Sequence, residues 1–211
     1  MSFHSQRVYI IDDDNSFRKS LEELVSLMGY QVSGFASAED FLKHYPVLRP
    51  ACLLLDVYLP GLDGFSLQND LLRRDVNIPI IFITGHGDVP MSVKAIKQGA
   101  ENFLLKPFNS KDLRSSIAAA LGRDTQNVMD AAQRGMILAR IGSLTPRENE
   151  VMHEVITGKL NKQIATTLGA AEKTIRKHRG CVMKKMQVTS VADLVRALQT
   201  VGIVHSSLQV L

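Results

Sequence analysis

The sequence predicts an α/β domain built on a parallel sheet, followed by a smaller all-helical domain, and three observations carry that prediction. Five short apolar runs in the first half alternate with stretches whose apolar residues recur at helical spacing, the pattern of buried strands covered by helices on both faces. The second half has helical periodicity alone. Charge divides in the same place: residues 1–123 hold 13 Lys/Arg against 14 Asp/Glu, whereas residues 124–211 hold 12 against 7.

Val8–Ile11 reads as the first strand, with Leu21, Leu24, Val25 and Met28 on the inner face of the helix behind it. Val32–Phe35 is the second, and Ser37 three residues ahead of Asp40 marks a helix start. The third, Leu53–Leu55, runs into Asp56, after which Pro60-Gly61 and Asp63-Gly64 break the chain. Ile80–Ile83 is the fourth, followed by a helix over Met91–Gln98 that Gly99 ends. Asn102–Leu105 is the fifth, and a fifth helix starts near Ser110.

From Gly122 to Ser143 the pattern weakens, which suits either an extension of helix five or a hinge. Thr145 as N-cap, Pro146 at the first helical position and Glu148 at N3 then form a capping box. Four helices follow. Their inward residues are Met152, Val155 and Ile156; Ile164, Ala165 and Leu168; Ile175, Val182 and Met186; and Val191, Leu194, Val195 and Leu198.

Composition narrows the function classes. Two cysteines, Cys52 and Cys181, argue against a disulfide framework and a cysteine-based zinc site. No apolar run approaches the ~20 residues of a membrane span, and the N-terminus has no signal-peptide pattern, so a soluble cytoplasmic protein with no membrane partner is expected.

Ligand sites of parallel α/β sheets lie beyond the carboxyl ends of the strands. Asp12 and Asp13 end strand one, Asp56 strand three, Thr84 strand four and Lys106 strand five, so all five point at one rim. Three neighbouring carboxylates raise one another's pKa unless a cation sits among them. A hard divalent ion such as Mg²⁺ answers that need, using one or two carboxylates plus water and phosphate oxygens, and Lys106 adds a movable charge. The set suits phosphoryl transfer onto a carboxylate, with Asp56 as the nucleophile because turn residues leave its face open. Any one of these residues alone is more simply a helix cap or a loop solubiliser; five at the ends of four strands are not.

In the basic half, Lys159–Lys185 contains eight basic residues and one acid, Glu172. Two helices, Asn161–Leu168 and Glu172–Met186, are separated by Gly169-Ala-Ala171, a helix-turn-helix arrangement. Lys173, Arg176, Lys177 and Lys184 project from the second, as required of a helix that enters the DNA major groove.

The stretch from Arg7 to about Leu121 resembles the receiver domain of bacterial two-component response regulators. The resemblance rests on Asp12-Asp13, LLLDVYLPGLDG around Asp56, IFITGHGD ending at Asp88, and LLKPF from Leu104 to Phe108. It implies a flavodoxin-like (βα)5 fold with parallel sheet order 2-1-3-4-5, in which a sensor histidine kinase phosphorylates Asp56. It also implies that Asp13, Asp56, the backbone carbonyl of Tyr58 and, through water, Asp12 hold Mg²⁺ (or Mn²⁺). Thr84 and Lys106 would bind the phosphoryl oxygens, Phe103 takes the place of the switch aromatic, and the Lys106-Pro107 bond is expected to be cis.

The segment LTPRENEVMHEVITGKLNKQIATTLGAAEKTIRKHRGCVMKKMQV resembles the LuxR-type helix-turn-helix. The combination looks like the NarL/FixJ class of transcription regulators, and TGHGDVPM with HRGCVMKKM points to the FixJ branch. By resemblance, residues 1–121 form the receiver, 122–142 a linker and 143–211 the DNA-binding domain. Arg176 and Lys177 would lie against base edges, with Lys162, Lys173, Thr174, His178 and Arg179 near phosphates. The implied partners are promoter DNA, RNA polymerase and, on phosphorylation, a second copy of the chain.

Three positions depart from the family pattern: Ala170-Ala171 ahead of the recognition helix, Gly180 within it, and Gln187 in place of a Gly or Asn cap. Losing the N-cap costs about 1 kcal/mol, and a mid-helix glycine costs roughly the same. Two competing readings remain. One is a regulator that binds DNA without phosphorylation and uses the receiver as a dimer platform. The other is a haloacid-dehalogenase-like phosphatase with Asp12-Asp-Asp14 as its signature, against which stand Ser16 and the lack of a second acidic pair after strand four.

Overall fold

A computed structural model describes residues 6–44 and 46–203. The chain divides at Met129/Asp130 into two compact units. The first contains strands β1 (Arg7–Ile11), β2 (Gln31–Phe35), β3 (Ala51–Asp56), β4 (Ile80–Thr84) and β5 (Asn102–Leu105). Helices α1 (Asn15–Leu27), α2 (Ala38–Lys43), α3 (Gly64–Arg73) and α4 (Val89–Lys97) alternate with them, and α5 runs over Ser110–Gly142.

All pairings are parallel and the strand order is β2-β1-β3-β4-β5. Side chains of a strand alternate between the two faces, and the sheet uses both. Tyr9, Ile11, Leu53, Leu55 and Phe82 pack with Phe41, Leu67, Leu71 and Ala95 of α2, α3 and α4. Val8, Ile10, Leu54, Ile81 and Ile83 pack on the other face with Leu21, Val25, Leu113, Ile117 and Leu121 of α1 and α5. Burial on both faces is why the central strands are near-continuous apolar runs.

Local chemistry sets the ends of the elements. Ser37 caps α2 by accepting from the Asp40 N–H, and Asp88 caps α4 by accepting from Met91. Asp63-Gly64, expected as a second chain break, is instead a helix start: Asp63 accepts from the Ser66 N–H and Gly64 is the first residue of α3. Helix α5 takes in the stretch where the sequence pattern weakens, and none of its residues from Thr125 to Met136 is buried.

The second unit adds α6 (Pro146–Ile156), α7 (Asn161–Leu168), α8 (Glu172–Met186) and α9 (Val191–Thr200). Its core gathers Ile137 of α5 with Val151, Met152, Val155, Ile164, Ile175, Val182, Met186, Leu194 and Leu198. The Thr145/Glu148 capping box is present. Helix α8 is unbroken through Gly180, although Ala171 supplies no side-chain cap, and Gln187 ends it at φ 54°, the left-handed conformation usually left to glycine.

Candidate functional site

Strand register brings the acidic rim together. Ile11 lies opposite Leu55, Asp56 opposite Ile83 and Thr84 opposite Leu105, so the residues just beyond these strand ends share one edge of the sheet. Oxygens of Asp12, Asp13 and Asp56 lie within 4.8 Å of one another. Lys106 Nζ donates to Asp12 Oδ2 at 2.6 Å and to Asp56 Oδ2 at 2.8 Å. The other Asp56 oxygen accepts from the Tyr58 N–H at 3.0 Å. Asp12 Oδ1 accepts from the Asp14 N–H at 3.0 Å.

Asp56 is less open than its following turn suggested, with 8 % of its surface exposed. Its neighbours explain this. Adding a Cβ at Gly64 would place it 2.4 Å from the Asp56 carbonyl oxygen and 3.1 Å from Phe82 and Val57, so α3 starts directly against the end of β3. Only glycine allows that approach. Asp13 remains exposed, which leaves one carboxylate of the three facing solvent.

Burial pushes the Asp12 carboxyl above its usual range, against the opposing pull of the Lys106 hydrogen bond and charge; Asp56 adds to the rise. Burial would likewise depress Lys106, but its bonds to Asp12 and Asp56 more than compensate and hold the ammonium charged. Three carboxylates around one ammonium leave excess negative charge on an all-oxygen donor set, which fits a hard divalent cation and not a thiophilic one.

Thr84 is fully buried, its Oγ1 accepts from the His86 N–H at 3.3 Å, and its carbonyl accepts from the Lys106 N–H at 2.8 Å. Phe103 packs 6.3 Å from Phe82, ring centroid to centroid, and borders a cavity of about 450 Å³ with Ser92, Val93, Ile96, Lys97 and Asn102. The Lys106-Pro107 bond is cis. Two further contributors were not legible from residue spacing. The Phe17 ring lies 3.9 Å beneath Lys106 Nζ, a cation–π contact, and Arg18 Nη1 donates to the Asp12 carbonyl at 2.6 Å. Asp14, which a phosphatase signature would need free, caps α1 by accepting from Ser16 and Phe17.

On α8 the inner row is Ile175, Val182 and Met186, and Lys173, Arg176, Lys177 and Lys184 are exposed together with Thr174. Lys162 is exposed on α7. His178 and Arg179 are half-buried, and Arg179 Nη1 donates to Asn161 Oδ1 at 3.0 Å. Arg176 is held by Glu172 at 3.4 Å. Part of the basic surplus is structural: Lys185 donates to Glu148 at 2.6 Å and to the Ser143 carbonyl at 3.0 Å.

Residues 8–118 match the family described as response regulator receiver domain, and residues 142–198 match bacterial regulatory proteins of the luxR family. Nodulation protein W of Bradyrhizobium diazoefficiens is 45% identical over 196 residues, covering 93% of this chain and 86% of that protein. The transcriptional regulatory protein FixJ of the same species is 39% identical, covering 94% and 97%. The solved response regulator StyR superposes with a TM-score of 0.83 at 39% identity, covering 92% of this chain and 98% of the other. Among the described residues no helix is long and apolar enough to cross a membrane. With both domains matched in order along nearly its whole length, the chain belongs to the FixJ-related two-component response regulators, which join a receiver to a LuxR-type helix-turn-helix and act in transcription.

Proposed function

We propose that a sensor histidine kinase phosphorylates Asp56 and that this switches sequence-specific binding of the output domain to promoter DNA, raising transcription. The observation that carries the reading is the Lys106 ammonium bridging Asp12 and Asp56 beside the exposed Asp13. The phosphoryl donor is a phosphohistidine: an Asp56 oxygen attacks phosphorus, the nitrogen–phosphorus bond breaks, and the imidazole leaves with its electron pair and takes up a proton.

Each residue has a defined part. The Tyr58 N–H fixes one Asp56 oxygen and orients the carboxylate. Lys106, already between Asp12 and Asp56, needs only a small movement to reach a phosphoryl oxygen. Asp13, Asp56, the Tyr58 carbonyl and, through water, Asp12 would hold Mg²⁺ (or Mn²⁺), which would supply neutralisation of the phosphoryl charge. Thr84 gives up the His86 N–H and turns its hydroxyl to the phosphoryl group, and Phe103 moves into the space released.

The outcome is a population shift at α4 and β5. Val93, Ile96 and Leu105 are exposed there and offer an apolar face for a second copy of the chain. A dimer sets two α8 helices one DNA turn apart, with Arg176 and Lys177 at base edges and Lys162, Lys173, Thr174, His178 and Arg179 at phosphates. In this reading residues 1–121 are the receiver, 122–142 the linker and 143–211 the DNA-binding domain. The protein works in the cytoplasm with RNA polymerase as its further partner, and its own chemistry is limited to slow loss of the phosphoryl group.

Intact mass after incubation with acetyl phosphate and Mg²⁺ tests the phosphoacceptor. The wild type should gain one phosphoryl group and Asp56→Asn none. A wild type without adduct, or an adduct that persists in Asp56→Asn, would overturn the assignment.

A further inference from the structure

Gly180 lies inside α8, a position where only proline is less favourable, because glycine gives up the most backbone freedom on folding. Two ordinary reasons for accepting that cost do not apply. The helix runs unbroken through the residue, and its φ is not one of the left-handed values that Gly169 and Gly202 adopt. A Cβ placed there would meet no atom within 4 Å, so no neighbour among the described residues packs too closely for a side chain. The space that the missing side chain leaves open is available only to something outside the chain.

Its neighbours identify the chemistry. Residues three and four positions apart adjoin on a helix surface, and around Gly180 these are Arg176, Lys177, Met183 and Lys184. The three cations are exposed, as is Lys173 two turns earlier in the same row, whereas Ile175, Val182 and Met186 face the core. Openness alone does not single the position out, since Gly122 and Gly135 of α5 are equally unobstructed. Their neighbours at the same spacing are all uncharged. A gap ringed by cations suits a polyanion that comes into contact with the helix backbone itself. A helix with its side chains is about 10–12 Å across and the DNA major groove about 12 Å wide, so the residue at the centre of the inserted face sets how deeply the helix seats.

We infer that Gly180 is a specificity-determining residue, which lets α8 seat at backbone contact on the edge of a base pair and so sets the depth from which Arg176 and Lys177 reach their bases. The inference rests on the reading that α8 enters the major groove. A Cβ at this position holds the helix away from the groove floor and lengthens the hydrogen bonds to base edges, which depend on alignment. Attraction to phosphates is long-ranged and indifferent to sequence, so it changes little. A glycine with no such part would behave in the opposite way: alanine would firm the recognition helix, and binding would stay equal or tighten.

The test is binding by the full chain, with acetyl phosphate and Mg²⁺ present throughout, to two duplexes. One is a sequence that the wild type enriches from a random pool, and the other is a scrambled duplex of the same composition. Gly180→Ala should raise the urea midpoint of the second unit and yet bind the enriched duplex at least tenfold more weakly, with its affinity for the scrambled duplex changed less than twofold. Equal or tighter binding of the enriched duplex by Gly180→Ala would overturn the inference, and so would the same loss on both duplexes. Arg176→Ala tells the two possible failures apart. If it loses the enriched duplex while Gly180→Ala keeps it, α8 still reads the bases and only the part given to Gly180 is wrong. If neither variant loses it, or the wild type enriches no sequence, the reading of α8 fails and the inference fails with it.

Discussion

The ammonium of Lys106 lies 2.8 Å from Asp56 Oδ2, tying the last residue of β3 to the first residue beyond β5. A cation in that position offsets repulsion among the carboxylates, and under the proposed function it is the group that would meet the phosphoryl oxygens. Lys106→Ala removes both effects. Asp12 then moves further above its usual range, since burial and Asp56 act without the opposing ammonium. The rate of phosphorylation by acetyl phosphate should fall on the order of 10²-fold, the size of losing one aligned donor to developing charge. Single-turnover kinetics followed by intact mass measure it.

Gly64→Ala tests the steric link between α3 and Asp56. The new Cβ would stand 2.4 Å from the Asp56 carbonyl oxygen, a backbone atom that cannot swing aside. Urea unfolding should show a loss of about 1–3 kcal/mol, typical of overpacking, together with slower phosphorylation. Gly180→Ala should do the reverse in the output unit. Its added methyl meets nothing within 4 Å, so the second unit gains about 1 kcal/mol from helix propensity.

Much of this site is legible in the sequence because buried parallel strands are apolar runs, and the residue that ends such a run is fixed to within one position. Asp12, Asp56, Thr84 and Lys106 follow from that rule, and strand register brings them to one edge. What surrounds them was not legible. Phe17 under Lys106 and the approach of Gly64 to Asp56 depend on where a helix crosses the sheet, which periodicity does not encode. The Arg49–Asp124 pair joins residues 75 apart. Lys185 counted as part of a basic patch, yet its partner Glu148 makes it an internal strut.

Asp193 predicts an acid-sensitive output unit. Hydrogen bonds from Ser190, then Arg196 and Thr189, lower its pKa from an ordinary 3.8 to about 2. A carboxyl depressed on folding adds stability that is complete above the unfolded value and is lost as pH falls through the folded one. The advantage of wild type over Asp193→Asn should therefore shrink between about pH 4 and pH 2 and vanish below. Denaturant midpoints across that range check it, and a difference independent of pH would contradict the assignment. Glu148, lowered by Lys185 and the Thr145 N–H, shifts in the same direction.

The exposed row on α8 predicts two kinds of loss. Arg176→Ala should weaken binding to the preferred DNA by about 1–3 kcal/mol and relax discrimination at one base position. Lys173→Ala should weaken all sequences alike and reduce the salt slope by about 1. Lys185→Ala should act through stability instead, since it leaves Glu148 without its ion-pair partner. Binding isotherms at several salt concentrations distinguish the three.

Under the proposed function, phosphorylation of Asp56 controls the hold of α8 on DNA. Its most direct measurement is the affinity of the full chain for promoter DNA with and without acetyl phosphate and Mg²⁺, on wild type and Asp56→Asn. The phosphodonor should tighten binding by the wild type at least tenfold and leave Asp56→Asn at the unphosphorylated value. Equal affinity with and without the donor, in a wild type shown by mass to carry the phosphoryl group, would contradict it.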